Sequence, residues 1–443
     1  MIKTTKLITL TAIALCISAC SLFEGGKKKV KYDDGGKERI SILTNVTVLE
    51  ADSSIASVPV VLPIPYRNKN WAQSGGSQSH AVHHLETADS LSRAWSVSNG
   101  AGNSKYERVI STPVSAEGKV FSVDAKGTVN AFSLSNGRKL WSHDIKIDEN
   151  VKMGYGGGVA YDNGTVYATS GFGLIVALDA SSGRREWTYK YSVPLRGAPT
   201  VAEGKVFAIS HDNLMVAVDA KSGNFLWDQV GIMESAGMLG AASAAYEDGA
   251  LVFALSSGEL IARRATNGLV LWQDTLRSSR RLTPLATLTD IDANPVIDRG
   301  KVYGLSHSGR MVAIDMRSGE RSWEADIAGV NTPWIAGNFA YVVTVDSQVL
   351  CISLADGRIR WVEQLQRFED QEKRRDLIKW NGPLLAGNRL FLTSSHGYML
   401  TLSPYTGDVL SGVNVGSGMT TNPIMVDGTL ITLTDDGKLI AYR

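Results

Sequence analysis

Three histidines in "SHAVHHL", His80, His83 and His84, have a spacing at which imidazoles could share a metal ion. Metal sites want three or four ligands in fixed geometry, and no Cys or acid cluster lies near them in sequence. They read instead as surface His on an ordered N-terminal strand, and no metal is expected. "GYGGGV", residues 154–159, is Gly-rich but lacks the Lys and the strand-to-helix setting of a phosphate-binding loop. It reads as backbone passing close to a neighbouring element. Cys351 sits in the apolar run "SQVLCISL" and reads as a buried, inert thiol. No Ser-His-Asp or paired-acid arrangement stands out, so neither catalytic residues nor a cofactor is expected. The remaining candidate is "TDIDANP", where Asp290 and Asp292 precede Pro295. They either cap a turn or offer a charged contact to a partner.

The 443 residues carry 45 Lys+Arg against 44 Asp+Glu, so the totals show no nucleic-acid footprint. The first residues, "MIKTTKLITLTAIALCISAC", combine Lys3 and Lys6 with an apolar stretch from Leu7 to Ala19. That stretch is short of the roughly 20 residues a membrane-crossing helix needs and reads as a signal segment. "ISAC" resembles the lipobox of bacterial lipoproteins, which implies removal of residues 1–19 and acylation of Cys20. Ser21, in place of Asp, implies export to the outer membrane, with the protein anchored by lipid on the periplasmic side. Cys16 leaves with the signal, so the mature chain has no disulfide framework. Residues 20–70 form a tether and a partly ordered extension. "EGGKKKVKYDDGGKE" is charged and flexible, and Pro59, Pro63 and Pro65 keep the later part of the extension stretched out.

From Trp71 onward one rule repeats. Gly stands four residues ahead of Trp141, Trp187, Trp227, Trp272, Trp323 and Trp361, and "YTGDVLS" keeps the Gly but carries Ser411 in place of Trp. The Trp steps from Trp95 are 46, 46, 40, 45, 51 and 38 residues, the period of four-stranded propeller blades. Each unit holds alternating apolar runs broken at Gly turns, a strand signal. An eighth unit runs out at the C-terminus, and "LSRAWSVSNG" around Trp95 can supply its missing strand. Residues 71–443 are therefore expected to be all-β: an eight-bladed β-propeller of four-stranded antiparallel blades, closed by an N-terminal strand that completes the last blade.

"A-x-D-x-x-S-G-x-x-x-W" resembles the PQQ-type propeller repeat, and with the lipobox the chain resembles the BamB-type outer-membrane assembly lipoproteins. "ERISIL" and "VPVVLPIPY" resemble the α-proteobacterial branch. The resemblance implies a non-catalytic scaffold that binds periplasmic POTRA domains of the BamA-type barrel-inserting subunit, beside other assembly-complex lipoproteins. It leaves open whether unfolded outer-membrane proteins bind too. It further implies an apolar-plus-Arg motif on one loop and a D-x-D on the next. The D-x-D matches Asp290 and Asp292. Counting back from Gly249 puts the other motif on Ala236, Met238 and Leu239, with Leu239 where Arg is usual and Arg280 and Arg281 as substitutes. The alternative, a quinoprotein dehydrogenase, would want a Cys-Cys pair and clustered Ca²⁺ ligands, and the sequence has neither. A third interruption, "VEQLQRFEDQEKRRDLIKW" at 362–380, reads as a solvated loop or a short amphipathic helix.

Overall fold

The computed structural model describes residues 49–145, 156–234, 240, 242–277 and 289–443. Cys20, Met238, Leu239, Arg280 and Arg281 lie outside the described residues. Runs of Val, Ile, Phe and Tyr suit a pleated, half-buried surface, and they pair here into eight four-stranded antiparallel sheets. Blades 1 to 7 follow chain order, with inner strands Val114–Ala116, Gly157–Asp162, Thr200–Ala202, Ala245–Glu247, Val296–Asp298, Trp334–Ala336 and Trp380–Ala386. Blade 8 is Ile424–Val426, Thr429–Leu433 and Lys438–Tyr442, with Arg93–Ser98 as its outer strand. This is the expected propeller, closed as expected, with Trp95 opposite Ala441. The interruption at 362–380 is neither helix nor plain loop: Phe368–Asp370 and Arg375–Leu377 pair as a small hairpin between blades 6 and 7.

Two turns recur. Inner hairpins such as Glu117–Gly118, Asn163–Gly164 and Glu203–Gly204 have both residues at positive φ, the geometry whose twist matches the flanking strands. In the outer hairpins Asp179, Asp219 and Asp315 accept hydrogen bonds from main-chain N–H groups two and three residues on. They order the turn; the hydroxyls of Ser181, Ser182 and Ser222, and then these N–H groups, hold the Asp179 and Asp219 carboxyls below their ordinary range, and at Asp315 the N–H groups do so first.

Neighbouring blades are joined by one repeated contact. The indole N–H of Trp95, Trp141, Trp187, Trp227, Trp272, Trp323 and Trp361 donates to a carbonyl in the next blade's outer turn, at 2.8–3.1 Å. The indole also rests on that turn's Gly: a Cβ on Gly183 would stand 2.6 Å from the ring of Trp141. Across its own sheet each of these Trp faces a small residue, Ala131 for Trp141 and Cys351 for Trp361. Cys351 is therefore a buried packing thiol whose ionisation burial pushes far up. Between the blades lie continuous apolar clusters, with Phe121, Phe207 and Tyr341 tilted against the indoles.

Ahead of the ring, the Asp52 N–H donates to the Ile359 carbonyl at 2.8 Å, and Val60 and Leu62 pack between blades 6 and 7. The chain then threads the ring axis, touching every blade in turn. The Asn68 carbonyl accepts from Asp427 of blade 8, Trp71 pairs with Ser115 of blade 1, and the Ala72 carbonyl accepts from Tyr161 of blade 2. Gln73 bonds Val201 of blade 3. The Gln78 and Ser79 carbonyls accept from Tyr246 and Ile297 of blades 4 and 5. The His83 carbonyl accepts from the Trp334 indole of blade 6, and the Leu85 N–H donates to Leu385 of blade 7. Trp71 stacks on Trp334 across the axis, centroids 6.3 Å apart. Gly75 is required within this strap, since a Cβ there would meet the His80 ring at 2.4 Å.

The inter-blade contact predicts unequal costs at two glycines of similar φ. Gly204, at φ 66°, has nothing within 4 Å of an added Cβ; Gly204→Ala should lose about 1 kcal/mol, the left-handed cost alone. Gly183→Ala adds a clash with the indole and should lose roughly 3 kcal/mol. Denaturation midpoints compare the two, and equal losses would refute the contact's role.

Candidate functional site

On one face the segments leading into the inner strands surround an open polar cup of about 350 Å³. All eight blades contribute to its wall, and Ser74 of the strap lines it from behind. Much of the wall is amide. The Asn294 Oδ1 accepts from the Ser243 N–H, the Asn331 and Asn381 amides donate to the carbonyls of Trp380 and Met419, and the Asn422 Oδ1 accepts from the Gly382 N–H. Each bond crosses to an adjacent blade, so the wall groups are fixed. Arg108 and Lys379 bring positive charge to the cup.

At its base lies the D-x-D. Asp290 is buried and stands 3.0 Å from the guanidinium of Arg196, which is 3.6 Å from Asp292. Arg196 precedes the inner strand of blade 3 and the two acids precede that of blade 5, so the contact spans blade 4. The Arg196 Nε–H donates to the Gly240 carbonyl at 3.1 Å, while its main chain bonds Gly157 and Ile209. The Asp292 Oδ1 is buried and accepts no hydrogen bond. Burial, and then the adjacent Asp290 carboxylate, push the Asp292 carboxyl up to about 7.

The sequence did not single out Arg196. It follows Val193, Pro194 and Leu195, itself an apolar-plus-Arg stretch one blade before the position reached by counting back from Gly249. The loop holding it is short and leaves the Trp spacing undisturbed, so no insertion marked it. The nearer candidates, Met238, Leu239, Arg280 and Arg281, lie outside the described residues.

The three histidines do not converge. Among the described residues no group of three or more His, Cys, Asp or Glu could hold a metal ion. Nor are they strand residues at the surface: His80 and His84 are buried in the strap. The His80 Nδ1–H donates to the Pro295 carbonyl at 2.7 Å, and burial lowers its pKa to about 4. His84 donates to Pro63 and accepts from the Asn388 N–H, and His83 lies 3.4 Å from Asp298. The described part of the Gly-rich run does approach a neighbour closely: a Cβ on Gly156 would fall 2.1 Å from the Leu195 carbonyl oxygen.

The family profile of the outer membrane protein assembly factor BamB matches residues 125–363, just over half of the chain. Proteins of that name from Shigella dysenteriae serotype 1 and Escherichia coli K12 are each 31% identical over 357 residues, covering 78% of this chain and 87% of theirs. The one from Xanthomonas campestris is 27% identical over 383 residues, covering 85% and 92%. Among solved structures, BamB from Moraxella catarrhalis superposes with TM-score 0.66 at 16% identity, over 80% of this chain and 100% of that one. A europium-containing methanol dehydrogenase reaches the same TM-score, 0.66, at 15% identity, over 84% and 98%. These two structural likenesses concern the fold alone.

A carboxyl whose folded pKa is raised stabilises the fold fully below its ordinary pKa, and that stability is lost as pH rises through the folded value. For Asp292 the window runs from near 4 up to about 7. Asp292→Asn should therefore raise the melting temperature at pH 8 by roughly 2 °C, the gain fading as pH falls toward 4. Scanning calorimetry at several pH values checks this, and a gain that grows on acidification would contradict the assignment.

Proposed function

The chain belongs to the family of the outer membrane protein assembly factor BamB, and from that membership we propose that it is a non-catalytic scaffold subunit of the machinery that assembles β-barrel proteins in the outer membrane. The observation that carries the reading is the buried Arg196–Asp290–Asp292 group at the base of an open polar cup. Three ionisable groups taken out of water cost more than an apolar core of the same volume would. A partner's polar loop entering the cup meets hydrogen-bonding groups already fixed in place, which lowers the entropic cost of binding. The partner in this reading is the periplasmic POTRA region of the BamA-type barrel-inserting subunit, with other lipoproteins of the complex nearby. In this reading the sequence-derived candidates Met238, Leu239, Arg280 and Arg281 take part in binding the same partner.

The axis itself is taken up by Trp71 and the rest of the strap, which supports a scaffold rather than a quinoprotein dehydrogenase. The outer strands of blades 3, 4 and 7 expose Phe225, Leu226, Val270, Leu271, Val409 and Leu410. Such edges suit the capture of nascent outer-membrane proteins by strand addition, which rests on main-chain bonds and tolerates varied sequences. In the proposed organisation residues 1–19 are a signal peptide, 20–70 a lipid-anchored tether and extension, and 71–443 the propeller. Among the described residues no helix is long and apolar enough to cross a membrane.

Replacing both acids, Asp290→Lys with Asp292→Lys, should abolish recovery of the barrel-inserting subunit in a pull-down while the circular dichroism stays that of the native ring; unchanged recovery sinks the interface. Cys20→Ser should release the protein from the outer-membrane fraction, and the mass of the mature N-terminus should show acylation. Membrane retention of the Ser variant would count against the anchor.

A further inference from the structure

We infer that the axial strap is a positioning device for the candidate contact site: Gln73, Gln78, Ser79 and His80 hold blades 3 and 5 at the spacing that seats Arg196 against Asp290 and Asp292. The inference deepens the functional reading above and rests on it for its biological meaning, though not for its physical test.

The Arg–Asp contact spans a whole blade, and sheet hydrogen bonds join no blade to another. Apolar packing between blades fixes neither distance nor register as tightly as directional bonds do. Direct bonds between blades, such as that from the Ser243 N–H to Asn294, each cross a single junction, and the strap adds bonds that tie blades 3 and 5 to one short segment. Five residues beyond Arg196, the Gln73 carboxamide takes both main-chain groups of Val201, donating to its carbonyl at 2.7 Å and accepting from its N–H at 3.1 Å. The Gln78 amide donates to the same carbonyl at 2.8 Å. Three residues beyond Asp292, the His80 Nδ1–H donates to the Pro295 carbonyl at 2.7 Å. The Ser79 carbonyl accepts from the Ile297 N–H at 2.9 Å, and Ser74 accepts from the Asn294 amide at 3.4 Å.

Gln73 and His80 are out of solvent, 3% and 4% exposed, beside Arg196 at 2% and Asp290 at 1%, while Gln78 and Ser79 are partly buried. Bonds of this kind resist exchange with water and hold their geometry. The turn at Gly75 and Gly76 brings the blade-3 and blade-5 grips together in one short stretch of chain. The "SHAVHHL" motif thereby acquires a role: His80 is a neutral donor aimed at the segment that carries the D-x-D. Because these residues act through Arg196 and the two acids, they are positioning residues and not contact residues.

The test uses the full-length protein and needs no partner. Hydrogen exchange of the Arg196 Nε–H is followed by ¹⁵N NMR, with the indole N–H groups of Trp141 and Trp361 as internal references. Gln73→Leu combined with Gln78→Leu should speed Arg196 exchange about tenfold, the scale of one lost buried hydrogen bond, with the indoles unchanged. His80→Leu should do likewise and His80→Asn, which keeps an N–H donor, should restore the slow rate. Leu85→Ala, in the same strap but at blade 7, should leave Arg196 unaffected. If the double variant loses the indole signals, Gln73→Ala alone carries the comparison. Unaltered Arg196 exchange, or equal acceleration in Leu85→Ala, overturns the inference. Partner recovery with the Asp290→Lys and Asp292→Lys variant decides the functional reading separately, so the two can fail independently.

Discussion

An indole of one blade resting on the α-carbon of a glycine in the next is the contact from which the ring follows. It explains why the two residues recur together. The Gly must accept a positive φ to turn its own hairpin, and it must lack a Cβ so that the preceding blade's Trp can lie on it. Each unit thus carries the receptor for the unit behind and the ligand for the unit ahead. The one departure obeys the same logic. Blade 8 takes its outer strand from Arg93–Ser98, so no hairpin Gly joins that strand to Lys438–Tyr442. Blade 7 has no receptor ahead of it, and Ser411 stands in the Trp position, bonded instead to Thr401 at 2.7 Å.

The ring was legible in the sequence because this contact is local in sequence and repeated. "SGxxxW" fixes turn, strand and inter-blade packing together, and the small residue opposite each Trp follows from the register. Closure through Trp95 was legible from the period, since Trp95 stands 46 residues before Trp141 while the eighth unit runs out one strand short. The candidate site was legible only by half. Asp290 and Asp292 stand in a long interruption, but their partner Arg196 sits in a loop of ordinary length and comes near them only because three blades curve about an axis. Tertiary proximity of that kind leaves no periodic trace. The burial of the strap was not legible, because the sequence around His80, His83 and His84 carries no pattern of period two or any other. Its residues answer to eight different neighbours in succession, so each faces whatever its own blade presents.

Site and strap share a physical theme: polar groups kept inside and bonded to the main chain. The amides of the cup and the carboxamide of Gln73 bond main-chain groups of particular blades, and His80 spends its one N–H on the Pro295 carbonyl while its Nε2 stays buried without a hydrogen bond. Apolar packing alone would give a ring of about the right size, and these bonds give it a fixed interior. The Arg196–Asp290–Asp292 group stands against that background as a costly arrangement in a well-satisfied setting, with one carboxylate oxygen of Asp292 left without a hydrogen bond.

The closing strand has a consequence for the order of events in time. Ser92 and Arg443 are partners separated by 351 positions, and the strap likewise meets blade 8 although it precedes blade 1. A chain emerging amino-terminus first carries both latches long before the surfaces they fit have been made. Contacts so distant in sequence slow folding, and until the last strands arrive every intermediate arc has two open flanks with unpaired main-chain groups. The architecture that leaves the finished ring without a free end makes its unfinished forms the adhesive ones. Whatever accompanies the nascent chain therefore has to keep its whole length from associating until the final unit is made.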